Sequence, residues 1–105
     1  MVYHGGTRHL FPAAVRDARA HGLRLISYDR PGQGMSTPRP GRVVADCAED
    51  VQAMLAQLGI SRAAVWGSSV GGAYALATAA LLPEAIASVC VFAPLVAGCC
   101  PVNYD

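Results

Sequence analysis

Apolar residues in this chain form short continuous runs, separated by longer stretches in which apolar and polar positions recur at helical spacing. Each short run is mostly apolar, which is typical of strands buried on both faces of a parallel sheet. The alternation expected of a half-exposed strand is not seen. The runs predict four strands, at residues 2–3, 23–29, 63–67 and 88–93.

Three longer stretches predict helices between these strands. In residues 42–58 the apolar positions step by three or four and Gly59 follows the last of them, which is typical of an amphipathic surface helix. Residues 11–22 carry a similar spacing, and residues 70–82 are apolar on every side until Pro83. The alternation of strands and helices predicts an α/β fold in which helices cover both faces of a parallel sheet.

The composition narrows the class of protein. The chain has 105 residues, of which 53% are hydrophobic and 14% charged, so it is long enough for one domain and too apolar for a disordered tail. The net charge is +1 and the basic residues are dispersed, which argues against a nucleic-acid partner. All eight basic residues are arginine. Because lysine is absent, a P-loop, a Schiff-base lysine and a Ser-Lys dyad are excluded.

The four cysteines match neither the spacing of a zinc site nor a secreted disulfide framework. They are Cys47, Cys90, Cys99 and Cys100. We therefore expect free thiols in a reducing compartment and no bound metal. The chain opens without the basic and apolar segments of a secretory signal, and its apolar stretches are interrupted before the roughly 20 residues that a membrane span requires. These features predict a cytoplasmic protein with no membrane partner.

The candidate chemistry lies where the third predicted strand meets the last predicted helix. The junction has the pattern Gly-x-Ser-x-Gly, with Gly67 and Gly71 two residues on either side of Ser69. A serine on so tight a turn takes an unfavourable backbone conformation, and side chains two residues away would collide. Its hydroxyl then projects above the sheet edge at the positive end of the helix, where backbone N–H groups can bind an oxyanion. Ser69 is therefore a candidate nucleophile.

Two other interpretations of this turn stay open. One is a Gly- and Ser-rich turn without chemistry. The other is a dinucleotide-binding turn, since Gly67, Ser69 and Gly72 occupy its three glycine positions. The dinucleotide interpretation is weakened because serine replaces the middle glycine and the next predicted strand carries no acidic residue for a ribose.

Three stretches of the chain resemble the alpha/beta-hydrolase superfamily, and within it the serine esterases and prolyl-aminopeptidase-like enzymes. They are His4-Gly5-Gly6, the segment Asp29-Arg30-Pro31-Gly32-Gln33-Gly34-Met35-Ser36, and the segment from Gly67 to Gly72. Their order and spacing match the family's third, fourth and fifth strands, and the likeness covers nearly the whole chain. The resemblance implies a partial alpha/beta-hydrolase fold of about four parallel strands, in the family order 4-3-5-6, with helices on both faces.

The resemblance also implies a division of roles at the site. Ser69 would be the nucleophile, and the backbone N–H groups of Gly6 and Val70 would form the oxyanion hole. The family strand order places these groups on neighbouring strands where the order reverses, which is where a ligand crevice opens in a parallel sheet. The other motif residues would shape the oxyanion turn (His4, Gly5), the nucleophile elbow (Gly67, Gly71, Gly72) and the loop after the family's fourth strand (Asp29, Gly32, Gly34).

The family's catalytic acid and histidine lack clear counterparts. They follow the serine in the family, whereas the residues after Ser69 include Glu84 and Asp105 and no histidine. Asp105 remains as a candidate acid, and His9, on the loop after the oxyanion turn, as a candidate base. Losing the triad base lowers turnover by about a millionfold. We therefore expect these 105 residues alone to be nearly inactive.

Residues 1–105 are expected to form a single partial alpha/beta-hydrolase domain that lacks the family's first strands, its lid and its C-terminal acid and histidine region. Unpaired strand edges then favour self-association. The implied function is a serine hydrolase that acts on a small ester, amide or related acyl substrate through a Ser69 acyl-enzyme, without cofactor or metal. The alternatives are a non-catalytic, truncated or degenerate hydrolase-fold module and, third, a dinucleotide-binding fragment.

Overall fold

The computed structural model of the chain describes residues 1–94. Two of the cysteines, Cys99 and Cys100, and the candidate acid Asp105 lie outside the described residues. The described part folds into four strands and three helices, with a 3₁₀ turn before the second helix. Their bounds are β1 Val2–His4, α1 Pro12–Ala20, β2 Ile26–Ser27, the 3₁₀ turn Val44–Asp46, α2 Cys47–Gln57, β3 Ala63–Ser68, α3 Val70–Leu81 and β4 Ile86–Phe92.

The four strands form one sheet in the order β2-β1-β3-β4, and every neighbouring pair is parallel. This arrangement confirms the α/β class and the strand order that the family resemblance implies. β1 pairs directly with β3, with His4 opposite Gly67, although β2 lies between them in the sequence. The strand order therefore reverses beside β1, and the carboxyl ends of β1 and β3 meet where parallel sheets bind ligands.

Helices cover both faces of this sheet. Consecutive residues of a strand point to opposite faces. On β3, Val65 packs in the buried core with Val51 of α2 and Ala75 of α3. Trp66 points the other way and lines a groove with Ala18 of α1. The main core thus lies between the sheet and the α2–α3 pair.

β2 is shorter than the sequence pattern predicts. Of residues 23–29, only Ile26 and Ser27 pair with β1, which is itself three residues long. Leu23 instead donates its N–H to the carbonyl of Ala18 and closes the end of α1. An apolar run could not show this limit, because the length of a strand ladder depends on both strands.

Two other element boundaries differ from the predicted ones by a few residues. The predicted helix at residues 42–58 begins with the 3₁₀ turn, where the Asp46 carboxylate accepts the N–H of Val43 at 2.9 Å. β4 starts at Ile86, before the predicted residue 88, and its pairing is irregular between Ala63 and the next residue of β3. Local hydrogen bonds set these ends, whereas the apolar pattern predicts that the elements exist.

β4 forms one edge of the described sheet and is largely uncovered. Phe92 is 72% exposed and Val89 is 41% exposed. Within residues 1–94 no further strand pairs with the outer side of β4. None of the helices in this part of the chain is long and apolar enough to cross a membrane.

Candidate active site

Ser69 occupies the turn between β3 and α3. Its backbone has φ 55° and ψ −125°, a region that L-residues avoid at a cost of about 1–3 kcal/mol. Two hydrogen bonds hold the turn: the Ser69 N–H donates to the Phe92 carbonyl at 3.0 Å, and the Ser69 carbonyl accepts from the Gly72 N–H at 3.0 Å. Ser69 is exposed. A strained, exposed serine between a strand and a helix has the geometry of a nucleophile elbow.

The glycines around Ser69 allow three backbone segments to approach closely. A Cβ atom at Gly67 would overlap the carbonyl of Gly71, and a Cβ atom at Gly71 would overlap the carbonyl of His4. A Cβ atom at Gly72 would lie 2.7 Å from the Cβ of Pro94. Any larger residue at these positions would therefore push α3 away from β1, β3 or the segment after β4.

The turn after β1 lies against this elbow. β1 ends at His4, opposite Gly67 of β3, and the His4 carbonyl packs against Gly71. Gly5 and Gly6 come next, and Gly6 has φ +115°, which L side chains rarely adopt. The structure thus brings the predicted oxyanion turn and the predicted nucleophile to the same edge of the sheet.

Two backbone donors at this edge are unpaired. Within residues 1–94, the N–H groups of Gly6 and Val70 have no hydrogen-bond acceptor. Val70 is the first residue of α3, and the first N–H groups of a helix have no intrahelical partner. The positive end of the helix dipole lies at the same place. Such donors can bind a carbonyl oxygen on which negative charge develops.

His4 is buried directly behind the turn, with 1% of its surface exposed. Its Nε2 lies 3.1 Å from the Thr78 hydroxyl, and its Nδ1 lies 3.4 Å from the Tyr28 hydroxyl. Burial, and secondly the positive charge of Arg30, lower the pKa of His4 to about 4. The imidazole is therefore neutral at pH 7, and it is a structural part of the turn and no partner of Ser69.

Arg30 places a permanent positive charge beside the turn. Its guanidinium carbon lies 4.3 Å from the centroid of the Tyr74 ring, a favourable cation–π arrangement. Its Nη2 lies next to Gly6, and its Nη1 is buried without a hydrogen-bond partner in the described part of the chain. This charge opposes protonation of His4, and it attracts an anion bound at the turn.

Asp29 organises the loop after β2. Its carboxylate accepts the backbone N–H of Arg8 at 2.8 Å and the Arg8 guanidinium at 2.8 Å, and its backbone carbonyl accepts the Ser36 hydroxyl at 2.6 Å. The hydrogen bond from the Arg8 backbone is the main cause that holds the pKa of Asp29 below its usual value. A Cβ atom at Gly34, which has φ +52°, would overlap this carboxylate. The hydrogen bonds of Asp29 thus connect this loop to the segment after the oxyanion turn.

The remaining candidates do not complete a catalytic triad. His9 lies on an exposed loop, where its backbone N–H donates to the Thr7 hydroxyl at 3.3 Å. Within residues 1–94, neither the His9 imidazole nor another side chain hydrogen-bonds the Ser69 hydroxyl. Gly32, with φ +82°, faces open space. No group of three His, Cys, Asp or Glu side chains in the described part of the chain could hold a metal ion.

No pattern in the sequence identifies the hydrogen-bonded residues around His4. Thr78 and Tyr28 contact His4, Cys47 contacts Thr78, and the three belong to different segments that meet only in the folded chain. One signal was present, because Thr78 is a polar residue in a helix that is otherwise almost entirely apolar. A polar side chain in such a position is expected to have a buried hydrogen-bond partner.

Residues 3–100 match a family model described as the alpha/beta hydrolase fold. Two curated bacterial proteins are also similar to this chain, and both are named dihydrolipoyllysine-residue acetyltransferase component of acetoin cleaving system. The protein from Cupriavidus necator is 34% identical over 80 residues, or 75% of this chain. The protein from Pseudomonas putida is 39% identical over 71 residues, or 67% of this chain.

Among solved structures, a probable hydrolytic enzyme from Pseudomonas aeruginosa matches 90% of this chain with a TM-score of 0.81 and 25% identity. The chain spans 32% of that enzyme, and 21% and 19% of the two curated proteins. The residues matched by the family model include the turn at His4, the loop at Asp29 and the elbow at Ser69. With these motifs on a sheet of the same strand order, the chain belongs to the alpha/beta hydrolase fold family.

Proposed function

We propose that this chain carries the nucleophile and the oxyanion hole of a serine hydrolase that acts on a small ester, amide or related acyl substrate. The proposal rests on the backbone of Ser69, because a strand-to-helix connection without a functional role does not require a non-glycine residue with a φ of 55°. Strain of this kind concentrates at functional sites. The unpaired N–H groups of Gly6 and Val70 beside it support the proposal.

In the proposed reaction the Ser69 oxygen attacks the acyl carbonyl. A new carbon–oxygen bond forms, the serine proton passes to a general base, and the carbonyl electron pair moves onto the carbonyl oxygen. The N–H groups of Gly6 and Val70 donate to that oxyanion. The carbonyl then re-forms, the bond between the acyl carbon and the leaving group breaks, and the protonated base gives its proton to the leaving group. Water next attacks the acyl-enzyme and gives a proton to the base, and the Ser69 oxygen departs with that proton.

The general base is the part of this scheme that residues 1–94 do not supply. No imidazole among them hydrogen-bonds Ser69, and a serine hydroxyl without a base is a weak nucleophile. About a thousandfold acceleration over water remains from an oxyanion hole and binding alone when a triad is lost. We therefore expect the 105-residue chain to react slowly at Ser69.

A fluorophosphonate probe tests the assignment, because it modifies activated serines covalently. We expect slow labelling of the 105-residue chain at one site, which peptide mass spectrometry places at Ser69. Ser69→Ala should abolish the labelling, and Ser68→Ala, the matched control on the neighbouring serine, should retain it. Equal labelling of the native chain and Ser69→Ala would refute the proposal.

A second candidate function is a non-catalytic hydrolase-fold module that binds an acyl ligand. The missing base at Ser69 among the described residues favours it. Turnover of a p-nitrophenyl ester separates the two functions. A rate for the native chain above that of Ser69→Ala supports catalysis, whereas equal background rates support the binding module.

A further inference from the structure

Four buried or partly buried polar side chains contact one another in series behind the oxyanion turn. We call this set the His4 network; its members are His4, Thr78, Tyr28 and Cys47. The Thr78 hydroxyl lies 3.1 Å from His4 Nε2 and 3.3 Å from the Cys47 sulfur. The Tyr28 hydroxyl lies 3.4 Å from His4 Nδ1. The network therefore joins β1 to α3, to α2 and to the segment after β2.

The hydrogen bonds of the network favour one tautomer of His4. The shortest contact of the Thr78 hydroxyl is with the carbonyl of Tyr74 at 2.8 Å, which can only accept a proton. When the hydroxyl donates its single proton there, it accepts toward His4, and Nε2 carries a proton and donates it. Nδ1 is then the acceptor for the Tyr28 hydroxyl. This neutral tautomer, with its proton on Nε2, satisfies every member.

The groups that face the imidazole oppose its protonation. Tyr28 and Tyr74 pack against the ring, with centroid distances of 5.8 and 6.2 Å. Cys47 lies beyond Thr78. Arg30 is the charged group whose field reaches the ring. A proton on Nδ1 would remove the acceptor of Tyr28 and place a second positive charge near Arg30.

The helix α3 contacts His4 at two points. Gly71 packs against the His4 carbonyl, and Thr78 hydrogen-bonds the His4 side chain. These residues are seven positions apart, which is about two helical turns and hence the same face of the helix. The helix that begins after Ser69 therefore holds both the backbone and the side chain of the residue that precedes Gly5 and Gly6.

We propose that Thr78 is a positioning residue of the active site: by accepting the Nε2 proton of His4 it fixes the tautomer and ring orientation of His4, and thereby the position of the Gly6 N–H relative to Ser69. The proposal rests on the proposed function, because it assigns Thr78 to the oxyanion hole of that reaction. Small errors in the position of such groups are costly, since a displacement of about 1 Å can lower a rate about a hundredfold.

Two substitutions at residue 78 separate hydrogen bonding from packing. Thr78→Val keeps the shape and removes the acceptor, whereas Thr78→Ser keeps the hydroxyl and removes a methyl group. Cys47→Ala is the matched control, because it removes another neighbour of the Thr78 hydroxyl and leaves the bond to His4 in place. All variants are made in the 105-residue chain.

The first readout is nuclear magnetic resonance, which does not depend on catalysis. In the native chain and in Cys47→Ala we expect His4 as one tautomer with its proton on Nε2. In Thr78→Val we expect mixed tautomers and a shifted resonance of the Gly6 amide, and in Thr78→Ser a return to the native pattern. A Thr78→Val chain with the native tautomer and native Gly6 amide resonance would overturn the proposal, as would a Thr78→Ser chain that behaves like Thr78→Val.

The second readout is the rate of fluorophosphonate labelling at Ser69. We expect about a tenfold decrease in Thr78→Val and a rate within about twofold of the native one in Thr78→Ser. If the native chain does not label at Ser69, the proposed function fails while the magnetic resonance experiment still decides the role of Thr78. If Thr78→Val does not fold, Thr78→Ala removes the same acceptor with a smaller side chain, and a native His4 tautomer and native Gly6 amide resonance in that variant would overturn the proposal.

Discussion

Two residues at the site are held in states that their own type disfavours. Ser69 has positive φ although it is not glycine. His4 is an imidazole held neutral in the interior by burial and by Arg30. Each of these states persists because the surrounding elements hold it, and each has a measurable energetic signature.

The strain at Ser69 predicts an order of stabilities. Ser69→Gly and Ser69→Ala both lack the hydroxyl, but glycine adopts φ 55° and ψ −125° without the clash of a Cβ atom. We expect Ser69→Gly to be more stable than Ser69→Ala by about 1–2 kcal/mol. Urea denaturation followed by circular dichroism measures the difference, and equal midpoints would show that the turn is not strained.

The pKa of His4 predicts that stability falls in mild acid. The ordinary pKa of histidine is near 6.5 and that of folded His4 is about 4, so the unfolded chain takes up a proton first as the pH falls. Stability is therefore fully present above about pH 6.5 and is lost toward pH 4. Between pH 7 and pH 5 we expect a loss of about 2 kcal/mol in the free energy of unfolding.

Substitution of the histidines tests this assignment. His4→Phe should be less stable at pH 7 because the buried hydrogen bonds are lost, and its stability should change little between pH 7 and pH 5. The exposed residues His9 and His21 supply the controls, since His9→Gln and His21→Gln should keep the native pH dependence. A His4→Phe chain with the native pH dependence would assign the titration to another group.

At the scale of elements, α3 connects the parts of the site. Its first turn follows Ser69, its glycines permit contact with β1 and β3, and Thr78 reaches His4. The small residues of this helix therefore have a structural role. They let the backbone of α3 approach the backbone of β1 closely enough for the site to form.

Gly71→Ala tests this contact. A Cβ atom there overlaps the carbonyl of His4, so we expect a loss of about 3 kcal/mol or more and the loss of Ser69 labelling. Gly22→Ala is the matched control, because Gly22 has φ +69° and nothing within 4 Å of a Cβ atom. It should cost about 1 kcal/mol. Denaturation midpoints that shift equally in both variants would contradict close packing at Gly71.

At the scale of the whole described molecule, the sheet ends in two unpaired edges. β2 and β4 are the outer strands of residues 1–94, and β4 exposes Val89 and Phe92. Uncovered strand edges with apolar side chains favour pairing with another chain. The surface of this part of the fold therefore predicts association at high protein concentration.

Val89→Lys tests whether β4 is the associating edge. A lysine on an edge strand opposes pairing between chains, so we expect at least about a tenfold weaker association constant, or about 1.4 kcal/mol. Ala80→Lys, on an exposed position of α3, adds the same charge away from the edge. Sedimentation equilibrium measures both variants, and equal effects would attribute the change to net charge instead of to β4.

The order of the elements, the α/β class and the position of Ser69 follow from local features of the sequence. Apolar runs of strand length and apolar residues at helical spacing report on their own segments, and the glycines two residues from Ser69 reflect a steric conflict within one turn. The family motifs added the strand order, because they tie this chain to a known sheet. These inferences need no knowledge of which distant residues meet.

The tertiary structure alone decided the rest. It limited β2 to Ile26 and Ser27, the residues that pair with β1. Within the described residues it left the His9 imidazole without a hydrogen bond to Ser69, and it joined His4 to Thr78 across 74 positions of sequence. Such contacts depend on how helices and strands pack together, and no periodicity within one segment records that packing.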